Sequence, residues 1–100
     1  MDISTLLAML KADLGLLNPP ETVAAYMQQL LLSAKAQIEG RGVTLDDTST
    51  ADMLFVASWA AWLYRKRDSG SGLPEMLLAE LRSRLVRQVT AADEDEEGAS

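Results

Sequence analysis

Arg65, Lys66 and Arg67 form the densest run of positive charge in the chain, directly after Trp62 and Tyr64. Cations set beside aromatic rings can contact phosphates and stack on bases. Arg82, Arg84 and Arg87 offer a second row of the same charge. Carboxylates gather in "LDDTSTAD", where Asp46, Asp47 and Asp52 supply oxygen ligands. A calcium loop of the EF-hand type needs oxygens at alternate positions, a glycine at the sharp turn and a late glutamate. The segment lacks these, so it reads as a capping loop. Gly40-Arg41-Gly42 has no strand before it and no second half of a phosphate loop, so it reads as a helix stop.

The chain contains no histidine and no cysteine. The commonest general base, the commonest metal ligand and any thiolate site are therefore missing. The hydroxyls and carboxylates show no spacing of a nucleophile with its base. No enzyme activity, cofactor or metal is expected.

Four helical segments must position these residues, with little sign of strand. Ile3, Leu6, Leu7, Leu10 and Leu14 repeat at helical spacing over 3–14, with Asp2 or Ser4 as a start and Gly15 as a stop. After "LLNPP", a second helix over 20–39 carries the stripe Val23, Met27, Leu30, Leu31, Ala34 and Ile38. The third, over 50–67, begins at Ser49 or Thr50 and is apolar around most of its circumference. Phe55, Trp59, Trp62 and Leu63 are its core candidates, and such a helix packs centrally. Trp59 and Trp62, three apart, can serve core and interface together, since helix three has more apolar surface than three short helices cover. Arg65 to Arg67 fall in its last turn, where cations complement the macrodipole. "DSGSG" breaks the chain, and a fourth helix over 74–89 starts at Pro74 and Glu75 with a stripe of Leu78, Leu81, Leu85 and Val89.

The net charge is −6, but five acids and no base lie in the last ten residues, which leaves −1 over residues 1–90. The sequence predicts an all-α fold: a small bundle of about four helices over 1–90 with a disordered acidic tail over 91–100. The start has no basic region ahead of its apolar residues, and the longest apolar run is 12 residues interrupted by Ser58, so neither a signal peptide nor a membrane span is expected. The chain reads as soluble and intracellular. A nearly neutral body and an acidic tail argue against DNA affinity, which is built largely on phosphate neutralisation.

The order of these features resembles the small head–tail connector (head-completion, or DNA-packaging) proteins of tailed bacteriophages. The likeness covers about 23–87. Its parts are "YMQQLLLSAKAQIEGRGVTLDD", then "ADMLFVASWAAWLYRKR", then "GSGLPEMLLAELRSRL". Family members similarly show a helix ending near a glycine before an "LDD"-like loop, a helix ending like "AAWLYRKR", and a "PxML" helix start. Glu75 departs from the pattern, since a basic residue is common there.

The resemblance implies a non-catalytic structural virion protein. It would form a homo-oligomeric ring, a dodecamer by the family pattern, beneath the portal protein. The ring extends the DNA channel and presents a platform for the downstream stopper or tail-completion protein. Genomic DNA passes through without sequence-specific binding. The expected location is the virion neck, and the host cytoplasm during assembly. Arg65, Lys66, Arg67 and the turn to Pro74 are the expected interface on one side, and the acidic group of Asp46, Asp47 and Asp52 on the other. Phe55, Trp59, Trp62, Leu63, Leu81 and Leu85 form the expected core. The alternative is a small helical nucleic-acid-binding or regulatory adaptor protein.

Overall fold

A computed structural model describes the backbone of residues 1–69 and 72–99, and the side chains of 1–66 and 72–91. Among the described residues it is all-α and has no strand. The helices are α1 (Ile3–Leu14), α2 (Glu21–Gly40), α3 (Thr50–Ser69) and α4 (Glu75–Ala99).

Each helix begins where its local chemistry allows. Asp2 caps α1: its carboxylate accepts from the Ser4 amide at 3.1 Å and from the Thr5 hydroxyl at 2.8 Å. Gly15 ends α1 with φ 72°, a left-handed conformation that costs glycine little. Pro20 precedes α2, its fixed φ already suited to the first turn. Ser49 caps α3, its hydroxyl accepting from the Asp52 amide at 3.2 Å. Pro74 precedes α4, and its carbonyl accepts from the Leu77 and Leu78 amides.

α3 is the central element and packs on all three others, most extensively on α1 and α2. The core joins Leu6 and Leu10 of α1, Met27, Leu31, Ala34 and Ile38 of α2, and Phe55, Val56, Trp59, Ala60, Ala61 and Leu63 of α3. The small residues Ala57, Ala60 and Ala61 are all buried and leave room for neighbouring helices to approach. Among the residues expected in the core, Phe55, Trp59, Leu63 and Leu81 are buried, whereas Trp62 and Leu85 are partly buried against it.

Trp59 is wholly buried, yet its indole N–H donates to Gln37 Oε1 at 2.9 Å. Gln37, which lies off the apolar stripe of α2, thereby satisfies the one polar group the ring carries inward. The ring also meets Phe55 and Trp62 edge-on, with centroids 5.9 and 6.0 Å away.

α4 is held by two parallel rows. Leu77, Leu81 and Leu85 recur every four residues and face the body; the first two are buried. Glu80, Arg84 and Gln88 form a polar row beside them, and Gln88 clasps the chain after α2: it donates to the Gly42 carbonyl and accepts from the Thr44 amide. Gly42 has φ 98°, and a Cβ there would stand 3.5 Å from Leu85. The apolar row runs out at Val89, which is 62% exposed. The segment expected to be disordered, 91–100, lies outside the described side chains from residue 92 on.

Candidate interaction surface

The basic cluster does not serve its own helix end alone. Arg65 Nη2 reaches back to α1, donating to the Asp13 carbonyl at 3.1 Å and to Asp13 Oδ1 at 3.2 Å. The guanidinium therefore meets one of the last carbonyls of α1, where the helix leaves acceptors without intrahelical donors. The sequence placed this charge against the α3 dipole; the structure adds a second helix terminus. The Lys66 ammonium lies 4.6 Å from the Trp62 ring centroid, a cation–π contact. The Trp62 indole N–H donates to the Gly72 carbonyl at 3.0 Å, fixing the chain that leads into α4. Pro74 is exposed beside it. Arg67 lies outside the residues whose side chains are described.

The acidic group divides. The exposed Asp46 accepts from the Thr48 hydroxyl and amide, and these two bonds hold its carboxyl below the ordinary value. Asp47 is exposed and pairs with the Met1 ammonium at 3.1 Å. Asp52 turns inward, its side chain only 13% exposed, and so leaves the acidic face expected of all three. It ion-pairs with Arg84 and accepts from the Asp46 amide at 2.7 Å. Burial raises its pKa, but the Asp46 amide and the Arg84 charge outweigh that and hold the carboxyl below its ordinary value.

Arg84 is the residue whose importance the sequence hid among surface arginines. It is 11% exposed, pairs with Asp52 and Glu80, donates to the Ala51 carbonyl, and lies 4.6 Å from the Phe55 centroid. The signal available was its spacing: Glu80 four residues before it, and Asp52 in the first turn of α3.

The surface also leaves apolar side chains uncovered. Leu54 of α3 is 50% exposed and Met76 of α4 is 80% exposed. They line one groove between α3 and α4. Val86 and Val89, 64% and 62% exposed, form a separate patch on the later part of α4. Leu54 is the part of helix three that its neighbours do not cover. Val86 lies off the expected stripe, so periodicity gave no reason to single it out.

No family model, curated protein or solved structure matches this chain. Among the described residues there is no group of three side chains able to hold a metal. Among them, too, no helix is long and apolar enough to cross a membrane. The described surface offers instead an exposed basic end, two acidic loop residues, and the two apolar patches on α3 and α4, besides the exposed Leu17 and Leu32.

Proposed function

We propose that the chain is a head–tail connector subunit of a tailed bacteriophage, acting by assembly on a portal ring. The observation that carries this reading is the order of motifs over 23–87, set at two helix junctions. "GRGVTLDD" joins α2 to α3, "WLYRKR" closes α3, and "GLPEML" opens α4. Side chains at the junctions of a small bundle can meet neighbours while the helices carry the fold. Ring contacts are heterologous and need two different patches on each subunit. The two unlike apolar patches of this chain meet that need. The basic end at Arg65 and Lys66, with Arg67 and Pro74, is the proposed contact to the portal or a neighbour. Asp46 and Asp47 sit on the complementary side, without Asp52.

The test is co-expression with the portal protein encoded in the same genome, followed by gradient sedimentation. The chain is expected to sediment with the portal ring. Charge reversal at Arg65 and Arg67 together is expected to remove that association while leaving the helical circular dichroism unchanged. A double variant that still completes infectious heads overturns the assignment of the basic cluster. The reading as a whole fails if the wild-type chain ignores the portal and no portal or capsid gene lies nearby.

A further inference from the structure

The groove between α3 and α4 has a chemical gradient along its length. Its apolar part is lined by Leu54, Phe55, Ser58, Met76 and Leu77, with Glu80 and Arg84, paired to each other, at its edge. It continues, through shared Ser58, Met76 and Leu77, to Trp62 and Arg65 at its basic end, where Asp13 also lies. Lys66 follows on the same helix. A helix seated there needs apolar residues at one end and negative charge at the other. α4 has that order. Val86 and Val89 are exposed, and Asp93 to Glu97 follow as five consecutive acids.

The spacings agree. Eleven residues separate Leu54 from Arg65, and eleven separate Val86 from Glu97. At about 1.5 Å per helical residue, both spans are about 16 Å. We infer that the groove receives the later part of α4 from a second copy, with Val86 and Val89 against Leu54 and Met76 and the acids toward Arg65 and Lys66. A parallel pairing of α4 with α4 would bring two runs of five acids together, so charge disfavours that arrangement. Because the two patches differ, each copy offers one and accepts the other, and the contact repeats head to tail. This deepens the ring reading and rests on it for its biological use, yet it is tested on the isolated chain.

The test is complementation between two variants, read by sedimentation velocity across a dilution series. Met76→Asp alters the groove at an exposed first-turn position, where the helix dipole favours a negative charge. Val86→Asp/Val89→Asp alters the opposite patch at exposed sites. Wild type is expected to associate as concentration rises, and more weakly as salt rises. Each variant alone should associate about tenfold less tightly or worse, with unchanged helicity, as expected when an apolar contact centre is made charged. Their mixture should form one-to-one dimers that do not extend, because only one intact groove and one intact patch remain. Truncation after Ala91 should weaken association without unfolding the body. A wild type that stays monomeric throughout, a Met76→Asp chain that associates like wild type, or a mixture that stays monomeric overturns the inference. None of these outcomes touches portal binding, and loss of portal binding would leave this self-association standing.

Discussion

Removing Arg84 should cost this fold more than removing any other surface charge, because Arg84 fastens α4 to the start of α3. Breaking one side of a fully buried ion pair costs about 3–5 kcal/mol, since the abandoned charge stays desolvated. Here the two side chains keep 11% and 13% exposure, and Asp52 keeps the Asp46 amide. We therefore expect about 2–3 kcal/mol for Arg84→Met, which retains the stem over Phe55. That is a large share of the roughly 5–15 kcal/mol typical of a domain. Urea unfolding followed by helical circular dichroism measures it. A double-mutant cycle with Asp52→Asn isolates the pair, and its coupling energy should be about 1–2 kcal/mol.

The pair also makes a pH prediction. Asp52 has a folded pKa below its unfolded one, so its stabilisation is full above the unfolded value of about 3.9. It is lost as pH falls through the folded value. The stability gap between wild type and Asp52→Asn should thus be constant near neutrality and shrink below about pH 4. A coupling energy indistinguishable from zero, or a gap that does not close on acidification, refutes the role given to Arg84.

Three further outcomes are expected. Gln37→Ala should destabilise by about 1–3 kcal/mol in urea melts, since it strands the buried Trp59 N–H, while Gln37→Glu should retain most of the stability. Gly42→Ala should cost about 1–2 kcal/mol by thermal unfolding, because φ 98° disfavours a side chain, while the new Cβ would meet Leu85 only at ordinary contact distance. Arg65→Glu should shift stability by less than about 1 kcal/mol in the same assay, since the Asp13 contact is exposed and screened.

Helix positions were legible because their punctuation is strong. Asp2, Gly15, Pro20, Ser49 and Pro74 each act through local backbone chemistry, which sequence states directly. The apolar period of α2 was enough to place Met27, Leu31, Ala34 and Ile38 inside. What sequence could not show was pairing across the fold. Asp52 looked like one of three loop acids, and Arg84 like one of three surface arginines, until α4 lay against the start of α3. Arg65 likewise finds Asp13 across 52 positions of chain. Exposure at Met76 and Val86 was hidden for a different reason. Both are apolar residues on a helix that makes its apolar contact with the body along one row only, so which apolar residues stay outside depends on where the other helices end.

The uneven attachment of α4 has a consequence for how the chain comes apart. α1, α2 and α3 share one continuous core, whereas α4 adds Leu77 and Leu81 to it, packs Leu85 partly against it and is tied by Arg84 and Gln88. An element fastened at a few points opens at lower free energy than the whole. Amide hydrogens of α4 should therefore exchange with solvent sooner than those facing Trp59 in α3, through a partly open form that keeps the three-helix unit closed. In that form Met76 and Leu77 leave with α4, so the groove beside Leu54 loses its second wall and exists only while α4 is seated.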